Sequence, residues 1–147
     1  MHERTVRLRP IADIGVTATL RSMMKEYVLD GTRITSLEAF YDVISEVLIP
    51  DATWGRNLDA FDDILRGGFG TPDEGFVLRW AHADASRARL GYTETIRQLE
   101  KRLERCHPSN RAHVRAALDK AKRCDGPTVF DWLTEIICDH DIGGEQA

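Results

Sequence analysis

The sequence predicts an α/β domain in which helices pack around a small parallel sheet. Three observations carry that expectation. Tyr27-Val28-Leu29 is an aromatic and β-branched run that ends at the turn signal Asp30-Gly31. Phe76-Val77-Leu78-Arg79-Trp80 is a second such run, entered from the turn Thr71-Pro72-Asp73. Between them lie two stretches of helical periodicity. Strand, helix, helix, strand is a crossover, and a crossover places its two strands parallel in one sheet.

The elements follow in order. Residues 1–24 form an N-terminal extension in which Thr5-Val6-Arg7-Leu8-Arg9 alternates as a strand does. After the first core strand, Ser36 caps a helix that spaces Leu37, Phe40, Tyr41, Ile44, Val47 and Leu48 along one face, and Pro50 stops it. Asn57 opens the second helix, which runs to Gly67-Gly68. Past Gly91 every pattern is helical. Thr93 opens a helix with Ile96, Leu99 and Leu103 inward, and Asn110 opens another with Val114, Leu118 and Ala121 inward. Thr128 opens the last helix, with Asp131 three residues on to complete a capping box. A register that makes Thr128–Leu133 a strand fits less well, because Phe130, Leu133 and Ile137 keep the helical period.

Composition limits the function. At 147 residues the chain suits one domain, and such a domain buries roughly 68–70% of its unfolded surface without needing disulfides. The net charge of −4 argues against general nucleic-acid binding. Its distribution says more. Residues 125–147 contain Asp125, Asp131, Glu135, Asp139, Asp141 and Glu145 with no Lys or Arg, whereas residues 101–123 are rich in both. Two surfaces of opposite sign are expected. Cys106, Cys124 and Cys138 form no disulfide framework, and the first 24 residues show neither a signal peptide nor a membrane span. The expected location is cytoplasmic.

The second helix carries the most informative pattern. Asp59, Asp62 and Asp63 sit at i, i+3 and i+4, while Leu58, Phe61, Ile64 and Leu65 hold the apolar side. Like charges at that spacing repel by a few tenths of a kcal/mol per pair, roughly, unless something cationic meets them. Residue types alone favour a solvated face, and the helix dipole accounts for Asp59 without any partner. Asp62 and Asp63 lie beyond that first turn.

The run Trp54-Gly55-Arg56-Asn57-Leu58-Asp59-Ala60 with its acidic continuation resembles the barstar family of ribonuclease inhibitors, and the likeness covers roughly residues 25–90 well. The resemblance implies a domain over 25–147 that plugs the active site of a secreted guanyl-specific ribonuclease, as an intracellular guard or toxin-immunity protein. It implies no enzyme activity, no cofactor, no metal, and neither nucleic acid nor membrane as partner. By position, Asp63 falls on the central carboxylate that enters the ribonuclease's phosphate site, and Asp59 on a second acid that pairs with its catalytic cations. Gly67 falls on a glycine that allows close backbone approach. The last helix resembles the family's own last helix, so Glu135 aligns with a contacting glutamate. Trp132 aligns with an apolar contact residue, and equally suits the core. Residues 92–126 would then be an inserted helical hairpin.

Some positions depart from the family pattern. Thr53 stands where an aromatic residue is usual, leaving Trp54 as the nearest ring, and Asp62 stands where a tryptophan often precedes the central acid. More charge and fewer aromatic anchors point to a ribonuclease related to barnase rather than to barnase itself. The family's third parallel strand has no counterpart before Ala147; either Thr5–Arg9 takes that edge or the strand lies further on. Gly67-Gly68-Phe69-Gly70 follows a helix and reads as a C-cap, since a phosphate loop precedes one. Cys106, His107, His113, Cys124, Cys138 and His140 match no zinc spacing. The rival expectation is an interaction module whose partner is not a ribonuclease and docks on the basic residues 101–123. A small enzyme built on the carboxylates is weaker still, because it would need a cleft that perturbs them.

Overall fold

The computed structural model describes residues 4–8, 25–72 and 75–140. Three strands, β1 (Arg4–Leu8), β2 (Lys25–Asp30) and β3 (Phe76–Ala81), form one sheet in the order β1-β3-β2. β2 and β3 run parallel, with Tyr27 opposite Leu78 and Leu29 opposite Trp80. β1 adds an antiparallel edge to β3, with Val6 opposite Leu78. The strand expected at Thr5–Arg9 is found at Arg4–Leu8, with Arg9 outside the described residues, and it occupies an edge of the sheet, which makes the sheet mixed around its parallel pair.

Helix α1 (Leu37–Val47) and helix α2 (Leu58–Arg66) form the crossover. Ser36 Oγ accepts the Ala39 N–H to start α1, and Asn57 Oδ1 accepts the Ala60 N–H at 2.8 Å to start α2. Both carry enough apolar residues at helical spacing to bury one face against the sheet. β3 alternates strictly, sending Phe76, Leu78 and Trp80 into the core. Phe40 of α1 meets Phe61 of α2 edge-on at 5.0 Å and Trp80 at 5.5 Å, so the aromatic centre joins both crossover helices to the sheet.

After β3 comes α3 (Ala83–Arg89), a short helix in a stretch that showed no clear sequence pattern. His82 opens it in the left-handed region at φ 54°, without a side-chain cap. Its anchor is tertiary: Ser86 Oγ donates to Gly31 O and accepts from Trp80 Nε1, each at 2.9 Å. Gly31 is required there, since a Cβ would come within 2.3 Å of His82 O.

Helix α4 (Tyr92–Arg105) and helix α5 (Arg111–Lys122) form the expected hairpin. Leu99, Val114, Leu118 and Ala121 give it a small core of its own. Helix α6 (Val129–Asp139) is helical throughout, so Thr128–Leu133 is not a strand. Thr128 and Asp131 make the reciprocal capping box. Phe130 and Leu133 join the main core, and Val129 N–H donates to Thr95 Oγ1 at 2.9 Å.

Candidate functional site

The site is built on α2. Phe61, Ile64 and Leu65 are fully buried, which fixes the rotation of the helix and turns Asp59 and Asp63 outward. Both are exposed and make no ion pair or side-chain hydrogen bond among the described residues. Asp62 differs. Its Oδ1 lies 2.7 Å from His140 Nε2 at the end of α6, and its Oδ2 lies 2.9 Å from Arg66 Nη2 one turn on. Asp62 thus braces α2 to α6 and holds the nearby guanidinium. The three-carboxylate stripe separates into two bare acids and one engaged one.

Gly67 ends the helix at φ 110° and ψ 179°, a conformation that side chains essentially forbid. A Cβ there would meet nothing within 4 Å, so backbone geometry rather than crowding demands the glycine.

Trp54 stands before α2, half-buried. Its Nε1 donates to Ser45 Oγ at 2.7 Å and its ring meets Tyr41 edge-on at 5.4 Å. Arg56, in the left-handed region at φ 53°, reaches back to Asp42 and Ser45. The loop into the acidic helix is therefore tied to α1. Burial pushes the Tyr41 phenol up to about 12, with the Arg102 cation opposing and Glu38 reinforcing the shift.

On α6, Asp131 is occupied as the capping residue, accepting the Thr128 N–H at 2.9 Å. Glu135 and Asp139 are exposed and unpaired among the described residues. Trp132 packs in both hydrophobic clusters, and Arg102 of α4 lies 5.2 Å above its ring. Packing is its visible role.

Two acids that sequence reasoning missed hold α4 against α1. Glu94 is buried and accepts from the Leu37 N–H at 2.9 Å, from Gln98, and twice from Arg97. Glu38 accepts from Lys101, Gln98 and Arg97. Burial alone would raise both carboxyls, but these donors outweigh it and hold each below the ordinary range. The i, i+3 spacing of Glu94 and Arg97 is legible in sequence; the link to Leu37, 57 residues away, is not.

A groove of about 710 Å³ opens between α1, the start of α2 and the second half of α4. Asp59 stands on its α2 wall and Arg102 and Arg105 on its α4 wall. Among the described residues, no group of three or more His, Cys, Asp or Glu could hold a metal ion, and no helix is long and apolar enough to cross a membrane.

A parallel strand pair joined by a two-helix crossover, its second helix turning bare carboxylates outward, defines a small α/β domain with a charged helix face. Residues 24–123 match the family Barstar (barnase inhibitor), and the chain belongs to that family. Family members are inhibitors rather than enzymes. No curated protein and no solved structure matches the chain. The matched span ends at residue 123, before α6. Asp59, Asp62, Asp63, Trp54 and Gly67 lie within it; Trp132 and Glu135 lie outside.

Proposed function

We propose that this chain binds and blocks the active site of a guanyl-specific, barnase-like ribonuclease, acting in the cytoplasm as a guard or immunity protein against a secreted ribonuclease or nuclease toxin. The observation that carries this reading is the pair Asp59 and Asp63, bare and exposed on a helix whose other face is locked in the core. A site that binds RNA phosphates is concave and cationic, and a rigid row of carboxylates imitates those phosphates. Complementary potentials speed encounter and select the partner. Close charge pairs across such an interface couple by about 1.5–7 kcal/mol, a range that comes from barnase with barstar, members of the very partnership invoked here.

In this reading Asp63 enters the phosphate site and Asp59 meets the catalytic cations. Gly67 admits the partner's backbone. Asp62 contributes by bracing α2 against α6 and by pairing with Arg66. Trp54 sets the entry to the helix, and Glu135 with Trp132 adds the flank on α6. Cys106, Cys124 and Cys138 form no disulfide, which suits a reducing compartment.

The test is Asp63→Ala, titrated against barnase-type ribonucleases that the parent chain inhibits. Loss of a hot-spot charge should weaken binding by about 2–5 kcal/mol with an unchanged melting curve. A variant that inhibits like the parent would sink the assignment.

A further inference from the structure

The groove beside Asp59 is lined by cations whose compensation is uneven. Lys101 Nζ lies 2.8 Å from Glu38, and Arg56 holds Asp42. Arg102 rests on the Trp132 ring, which fixes its position without cancelling its charge. Arg105 is exposed and makes no ion pair among the described residues. Asp59, on the α2 wall, is equally bare, and neither arginine is within ion-pair reach of it. The fold holds opposite charges apart in one groove instead of letting them neutralise each other.

That separation matters to any protein that covers α2. A partner seated on Asp59 also covers the mouth of the groove and strips water from Arg102 and Arg105. A cationic cleft alone would leave those guanidinium groups desolvated, uncompensated and facing like charge, which is costly. The geometry points to a two-signed footprint: the inhibited ribonuclease sets its cationic cleft against Asp59 and Asp63, and a carboxylate side chain beside that cleft enters the groove and is received by Arg102 and Arg105. This rests on the reading of α2 as the inhibitory face. Arginine suits the task because its planar fork meets a carboxylate with two parallel hydrogen bonds. The groove then sets selectivity, since a ribonuclease lacking that carboxylate would bury unpaired cations on docking.

The experiment is charge reversal at Arg105, chosen because Arg102 also packs on Trp132. Arg105→Glu and the neutral Arg105→Gln are measured with the full chain against a panel of purified barnase-type ribonucleases, and melting curves are taken for both variants. Simple attraction of an acidic inhibitor to a cationic cleft predicts that Arg105→Glu, being more acidic, binds as well or better. The two-signed footprint predicts the opposite sign. Affinity should fall roughly tenfold or more for Arg105→Glu and by a smaller factor for Arg105→Gln, mostly through faster dissociation. Should Arg105→Glu fail to fold, the loss with Arg105→Gln carries the test. Equal or tighter binding by the folded variants overturns the footprint while leaving the inhibitor reading intact. If the parent binds no member of the panel, the inhibitor reading falls and the footprint falls with it.

Discussion

Glu94→Ala is the change whose cost can be worked most directly from the structure. Glu94 Oε2 accepts the buried Leu37 N–H at 2.9 Å, so an acid from α4 satisfies an orphan donor at the start of α1. Ser36 caps only the Ala39 N–H there. Truncation strands the Leu37 donor in a buried place, and a hydrogen bond to a charged acceptor contributes about 1.5–3 kcal/mol. Arg97 also loses a partner, but it is 46% exposed and keeps Glu38, so solvent limits that part to about 0.5 kcal/mol. The total is about 3 kcal/mol, or roughly a 6–12 °C drop in melting temperature for a domain of this size. Glu94→Gln keeps an acceptor for Leu37 and should lose about 1 kcal/mol. Because the folded carboxyl is held below its ordinary value of 4.5, its stabilisation is complete above that pH and is lost as pH falls through the lower folded value. The gap between parent and Glu94→Gln should therefore be full near about pH 7 and shrink below about pH 4. Urea and thermal unfolding across that range measure both effects. A Glu94→Ala protein within about 0.5 kcal/mol of the parent would refute the argument, as would a gap that ignores pH.

Three further outcomes follow from the same structure. The association rate with an inhibited ribonuclease should fall steeply between low and physiological salt while dissociation changes less; a salt-independent association rate would favour an apolar interface or the basic surface. Glu135→Gln removes an exposed, unpaired charge, so unfolding stability should stay equal or rise slightly while inhibition weakens, which paired melting and inhibition assays would detect. Gly67→Ala forces a side chain to φ 110° and should cost about 1–3 kcal/mol in unfolding stability even though space is open there; an unchanged melting temperature would contradict the strain argument.

The acidic helix was legible because its signals are local. Asn57 as cap, Phe61, Ile64 and Leu65 at helical spacing, and Gly67 as terminator lie within a dozen residues, and each acts through backbone sterics or a hydrogen bond a turn away. The same holds for the Thr128 and Asp131 capping box and for the alternation of β3. The parallel pairing of β2 with β3 was also within reach, since a two-helix crossover leaves that arrangement as the favoured one. Helix α3 was not legible, because it begins at a left-handed histidine without a side-chain cap and is held by Ser86 against Gly31. Three identical aspartates in one helix gave no sign that Asp62 alone would be engaged, because its partner His140 is 78 residues away. Glu94 reads as an ordinary first-turn acid until packing brings Leu37 to it. The sequence by itself determined which of the capped and periodic stretches are helices or strands and which of their faces are apolar, since those depend on neighbours three or four residues apart. It did not place α3, nor the N-cap of α4, which is Gly91 rather than Thr93. Only the tertiary structure decided which charges are neutralised and which stay bare, because that depends on which surfaces the packed core presses together.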